Sequence, residues 1–146
     1  MLRIDIRSIA WHKAGIFKNG SPAFTVQQEQ PAMEVLRQRS EERKVSSLTV
    51  VTDDPIKNWG INFYPDTAYQ RCNVSLAIHL VDATLKALDQ DFVMIADLTR
   101  SVEKTKVPGR SEILWKKNVW LLDIAHNEMS VTVASAWFRD IIESPE

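Results

Sequence analysis

A carboxylate, an imidazole and an amide follow a short apolar run near the carboxyl end of the chain. The run from Val119 to Leu122 predicts a buried parallel strand, and Asp123, His126 and Asn127 come directly after it. Polar residues at the carboxyl end of a parallel strand occupy the usual ligand position of an α/β sheet. These three residues are therefore the first candidates for a binding or catalytic site.

A second candidate pair is Gln70 and Asn73. They are three residues apart in the first turns of a predicted long helix, so both side chains face the same way and could bind a ligand at its amino end. The alternative is that they only cap the helix. Two nearby residues, Arg71 and His79, are interpreted as surface or interface residues because the apolar stripe of the helix does not need them.

The elements that would position these residues alternate between helix and strand. A helix is predicted from Arg3 to Gly15, which would close it. A strand follows at Ala23 to Val26, then a helix at Glu29 to Lys44 and a strand at Ser47 to Thr52. This alternation predicts an α/β fold with a parallel sheet.

The remaining segments are less regular. Asp53 to Tyr64 is rich in turn residues and is interpreted as a loop, with a possible short strand at Ile61 to Phe63. The longest helix is predicted from Tyr69 to Leu88. Asp89 to Arg100 could form a second helix, and a domain boundary follows it. After Asn127, a helix is predicted whose amino end Asn127 would cap. The apolar positions of these two helices are Val74, Ala77, Ile78, Val81, Leu85 and Leu88, then Val131, Ala134, Trp137, Phe138 and Ile141.

Composition excludes several classes of function. The 146 residues are 45% hydrophobic and 25% charged, as in a globular protein, and the net charge of −1 indicates no nucleic-acid partner. A single cysteine, Cys72, excludes an internal disulfide and a cysteine-based zinc site, and its expected role is that of a small core residue. No apolar run is long enough to cross a membrane. A cytosolic or organellar location is expected.

Four segments, in this order, carry a family resemblance: Ser8 to Lys18 (SIAWHKAGIFK), Tyr69 to Asn73 (YQRCN), Pro108 to Arg110 (PGR) and Leu122 to Asn127 (LDIAHN). Together with Phe24-Thr25 and Trp137-Phe138, they resemble folylpolyglutamate synthase, a member of the Mur ligase superfamily. The resemblance implies a partial Mur-ligase-like central ATPase domain at residues 1–90, and the start of a Rossmann-like carboxyl-terminal ligase domain at residues 91–146.

The resemblance also implies chemistry. Family members join glutamate to folate through an acyl phosphate, using ATP and Mg²⁺. Lys13 matches a lysine that is carbamylated to bind the metal; a carbamate supplies the oxygen ligands that Mg²⁺ prefers. Gln70, Asn73 and Arg110 match nucleotide-binding positions, and Asp123 and His126 match a pair that contacts ATP. Lys13 and His126 would thus be the catalytic residues. The alternative for Lys13 is a solvated lysine at a helix end, without a functional role.

Three departures from the family pattern support an alternative to a working ligase segment. The sequence contains no Gly-x-x-x-x-Gly-Lys-Ser/Thr loop, and Tyr69 and Ile124 stand where the family has histidine and glycine. A β-branched residue takes a positive φ only at a cost, so the turn at Ile124 is expected to differ. The alternative to a working ligase segment is a catalytically inactive remnant, or a binding or scaffold protein whose unpaired strand edges a protein partner or self-association would cover.

Overall fold

The computed structural model describes residues 5–64, 66–91 and 95–143, which form two compact units, Met1–Glu103 and Lys104–Glu146. Each unit mixes helices with a two-stranded sheet. The helices are α1 Ile6–Lys13, α2 Gln30–Glu42, α3 Asp54–Trp59, α4 Ala68–Ala87, α5 Ile95–Lys104 and α6 Glu128–Glu143; a 3-10 turn covers Ala14–Ile16. The strands are β1 Pro22–Val26, β2 Ser47–Val51, β3 Glu112–Trp115 and β4 Val119–Leu122. The predicted α/β class is confirmed.

The sheet of the first unit is parallel, as the alternation of elements predicts. β1 pairs with β2 in a register that runs from Pro22 opposite Ser47 to Val26 opposite Val51, with α2 as the crossover between them. α1 packs on α2, and α4 packs on both strands. A core cluster fills the space between these elements, built from Ala10, Ala14, Phe17, Ala23, Ala32, Met33, Val35 and Leu36.

Two local predictions for the first unit are wrong. Gly15 does not close α1, because the helix tightens into the 3-10 turn and Gly15 does not take a positive φ. The segment after β2 is a loop only in its second half: Asp54–Trp59 forms helix α3, whose C-cap Gly60 has a φ of +62°, and no strand forms at Ile61 to Phe63. Asp53 and Asp54 favour a helix start, a signal hidden among the surrounding turn residues. The predicted helix start at Arg3 lies outside the described residues.

Helix α4 confirms the predicted long helix but buries a different face. Ile78 is buried as predicted, together with Ser75, whereas Val81 and Leu88 are exposed. Arg71 and His79, interpreted as surface or interface residues, are both half-buried; the His79 ring lies 5.9 Å from that of Phe24. The strands beneath α4, rather than its own most apolar stripe, decide which face is covered. Cys72 is also only half-buried.

In the second unit, the prediction of a buried parallel strand is wrong. β4 pairs antiparallel with β3, Trp115 lies opposite Val119, and both are at least half exposed. β3 was not predicted from the sequence. Only Lys116 to Asn118 separate it from β4. So short a connection can close a hairpin but cannot make the crossover that a parallel pair needs. Helix α6 follows as predicted, with Trp137 buried.

No helix in the described part of the chain is long and apolar enough to cross a membrane.

Candidate functional site

Arg110 ends a tight turn in the second unit. The Arg110 amide donates to the Val107 carbonyl at 3.0 Å, Pro108 lies at the second position of the turn, and Gly109 has a φ of +74°. A positive φ after proline is the signature of a type II turn, which glycine adopts without strain. The Gly109 amide in turn donates to Oε2 of Glu112 at 2.7 Å.

Asp123 holds the residue that follows this turn. Ser111 is buried and has a φ of +44°, and its amide donates to Oδ2 of Asp123 at 2.9 Å, with its hydroxyl at 3.4 Å from the same oxygen. The other carboxylate oxygen, Oδ1, accepts from the Ala125 amide at 2.8 Å. The Asp123 carboxylate therefore ties the residue before β3 to the segment after β4.

The Arg110 side chain itself is exposed. Within the part of the chain that the structure describes, its guanidinium has no hydrogen bond or ion pair. A fork of five donors without a protein partner is suited to bind an anion such as phosphate.

His126 and Asn127 shape the start of α6. Oδ1 of Asn127 accepts from the Ser130 amide at 2.9 Å, which confirms the predicted cap. Nδ1 of His126 lies 3.2 Å from the carbonyl oxygen of Ile124. Because a carbonyl only accepts, Nδ1 is the donor in this bond, and Nε2 is left free to face a ligand. Ile124 itself does not take a positive φ; its Cγ2 would lie 3.2 Å from a Cβ added to Gly109.

A shallow groove of about 270 Å³ lies beside this segment. It is slightly smaller than the roughly 300–1,000 Å³ of small-molecule pockets. Apart from Asp123 and Ser135 its lining is apolar: Leu121, Ala125, Val131, Ala134, Trp137 and Phe138. This unit could therefore hold only part of a nucleotide-sized ligand.

In the first unit, Gln70 and Asn73 meet as their spacing predicts. Nδ2 of Asn73 donates to Oε1 of Gln70 at 3.1 Å. The cap of α4 is Thr67, whose hydroxyl accepts from the Gln70 amide at 3.4 Å. The side chains of Gln70 and Asn73 therefore do not cap α4. Lys13 is exposed at the last position of α1.

An ion-pair network that the sequence did not predict connects α3 with α4. Asp53 pairs with Lys57 at 3.0 Å and with Arg71 at 3.2 Å, and Arg71 also pairs with Asp66. The hydrogen bond from Lys57, and then that from Arg71, hold the pKa of Asp53 below its ordinary value, although partial burial opposes them. The four-residue spacing of Asp53 and Lys57 signals the first pair. The network fastens the start of α3 to the first turns of α4.

The described residues do not assemble a metal centre. Among them, no three His, Cys, Asp or Glu side chains lie close enough together to hold a metal ion. The Lys13 ammonium is a cation with three donors, so it could become a ligand only after chemical modification.

Comparisons with known proteins bear on these residues. Over 142 aligned positions, which cover 91% of its length, the chain is 39% identical to a folylpolyglutamate synthase of Neurospora crassa, of which it covers 26%. Over 153 aligned positions, or 97% of its length, it is 36% identical to a folylpolyglutamate synthase of Saccharomyces cerevisiae, of which it covers 28%. No protein-family model matches the chain. No solved structure matches it either.

Proposed function

The chain is similar over nearly its whole length to an internal segment of folylpolyglutamate synthases, and from this premise we propose that it forms part of an ATP-dependent ligase that joins glutamate to folate through an acyl phosphate. The observation that carries the proposal is the 39% identity over 91% of the chain. The chain spans only about a quarter of these relatives, 26% and 28% of their lengths, so it would supply part of the complete site.

The roles of individual residues follow from their geometry and from the resemblance. Arg110 offers an exposed guanidinium to the phosphates, and His126 presents Nε2 because Nδ1 faces Ile124. Gln70 and Asn73 offer a joined pair of amides to the nucleotide. In this proposal, residues 1–90 are the later part of a Mur-ligase-like ATPase domain, and residues 91–146 begin the carboxyl-terminal domain.

The proposal assigns no step to Mg²⁺. Mg²⁺ demands near-octahedral oxygen coordination, and the described residues contain no cluster of metal ligands. A carbamylated Lys13 would contribute oxygens to a metal whose other ligands come from elsewhere. The chain's own contribution to catalysis is to bind and orient the nucleotide, since phosphoryl transfer depends largely on positioning and charge.

The alternative is a catalytically inactive remnant or a scaffold of the same fold. One observation favours it: Trp115, Trp120 and Ile124 are each at least half exposed. Exposed apolar side chains next to open strand edges favour association. We therefore expect the isolated chain to self-associate. We also expect it to bind ATP only weakly, and we propose a cytoplasmic or mitochondrial location for the protein. Light scattering over a concentration series tests the association; a monomer at every concentration contradicts it.

A segment exchange distinguishes ligase from remnant. The aligned segment of the Neurospora crassa enzyme is replaced by this chain, and ATP- and folate-dependent glutamate incorporation is measured. We expect activity, and roughly a 10- to 100-fold loss in Arg110→Ala, because a charge-assisted bond contributes about 1.5–3 kcal/mol. Lys13→Ala should also lose activity, whereas the exposed controls Arg37→Ala and Arg139→Ala should not. A folded but inactive exchange protein would establish the remnant.

A further inference from the structure

We propose that Asp123 is a positioning residue, which holds the Arg110 turn so that the guanidinium is presented to an anionic, phosphate-bearing ligand. The proposal rests on the proposed function of Arg110 and differs from a direct contact of Asp123 with ATP. It is carried by the hydrogen bonds of Asp123 and by the backbone on either side of Arg110.

Arg110 lies between two residues in left-handed conformations, Gly109 with a φ of +74° and Ser111 with a φ of +44°. Glycine adopts this region freely, but serine does so at a cost, so the second position must be stabilised by its surroundings. The Ser111 amide, 2.9 Å from Asp123, supplies that stabilisation. Bonds from an amide to a carboxylate are roughly twice as strong as neutral ones.

The second hold on the turn comes from Glu112, which accepts from the Gly109 amide at 2.7 Å. Two carboxylates thus bind the backbone amides on both sides of Arg110. In the described part of the chain, neither forms an ion pair with the Arg110 guanidinium. The carboxylates of Glu112 and Asp123 therefore bind backbone amides, and the Arg110 guanidinium stays available for a ligand.

The remaining capacity of Asp123 is small. Its two oxygens accept from the Ser111 amide, the Ser111 hydroxyl and the Ala125 amide, and a carboxylate has about four lone-pair sites. A phosphate brought against this carboxylate would meet a like charge. Asp123 therefore acts on an anionic ligand through Arg110.

The first test measures amide hydrogen exchange in the full chain. Asp123→Ala should speed exchange of the Ser111 amide by about tenfold or more, because its acceptor is lost. Asp140→Ala, an exposed carboxylate on α6, is the matched control and should leave that amide unchanged. Ser111→Gly adopts the positive φ cheaply, so adding it to Asp123→Ala should recover part of the stability that Asp123→Ala loses. Unchanged Ser111 exchange in Asp123→Ala overturns the positioning role.

The second test is a double-mutant cycle on ATP binding, with ATP titrated into the chain and followed by amide chemical shifts. If Asp123 acts through Arg110, Asp123→Ala weakens binding in the parent chain but has no further effect in Arg110→Ala. Effects that multiply would mean direct contact of Asp123 with ATP and would overturn the proposal. Unchanged ATP affinity in Arg110→Ala would instead refute the proposed nucleotide role of Arg110, independently of the exchange result.

Discussion

Replacing Gly109 with alanine should destabilise the second unit, mainly through the backbone. Gly109 has a φ of +74°, and an alanine in the left-handed region costs about 1–2 kcal/mol. An added Cβ would also lie 3.2 Å from Cγ2 of Ile124. Ile124 is half exposed, so its side chain can shift towards solvent, and this close contact should add only a few tenths of a kcal/mol. The backbone effect therefore dominates.

Two other glycines of the chain separate the two contributions. Gly20 has a φ of +75° with nothing within 4 Å of an added Cβ, so Gly20→Ala measures the backbone cost alone. Gly15 has neither a positive φ nor a close neighbour, and Gly15→Ala should be neutral or stabilising by about 0.4–1 kcal/mol, because it restricts the unfolded chain.

Urea unfolding followed by circular dichroism and tryptophan emission measures these differences. We expect Gly109→Ala to destabilise by about 1–2 kcal/mol, similar to or slightly more than Gly20→Ala. In an Ile124→Ala background, the cost of Gly109→Ala should fall by the contact contribution alone. A Gly109→Ala variant as stable as Gly15→Ala would refute the turn geometry on which the positioning of Arg110 depends.

Three further predictions concern stability. Asn127→Ala should cost about 1 kcal/mol by removing the cap of α6, whereas Asn127→Ser should retain most of it; thermal melts compare the two. Ser75→Ala should stabilise by about 1 kcal/mol, because the Ser75 hydroxyl is buried and has no hydrogen-bond partner among the described residues, and a loss of stability in urea unfolding would contradict this. The pKa of Asp53 is lower in the folded protein than in the unfolded chain, so the ionised Asp53 carboxylate stabilises the fold. This contribution to the free energy of unfolding is complete above the ordinary pKa of aspartate and is lost as the pH falls through the lowered value. Lys57→Gln and Arg71→Gln should flatten this acid dependence in unfolding curves measured below about pH 5, and an unchanged slope would count against the network.

The site was partly predictable from local patterns. The three-residue spacing of Gln70 and Asn73 predicts that their side chains meet, and the position of Asn127 before an apolar helix predicts its cap. The partners of Asp123 and Arg71 were not predictable in this way. Ser111 is 12 residues from Asp123, and Asp53 is 18 residues from Arg71, so no local period relates them.

By itself the sequence determined the alternation of helix and strand in residues 5–52, the parallel pairing of β1 with β2, the long helix α4 and the family resemblance. These features depend on periodicity and capping, which act over a few residues. Only the tertiary structure decided that β4 belongs to an antiparallel hairpin, which face of α4 is buried, and that a carboxylate holds the turn beside Arg110. Each of these depends on contacts between residues distant along the chain or on a neighbouring strand, and such contacts override local preference.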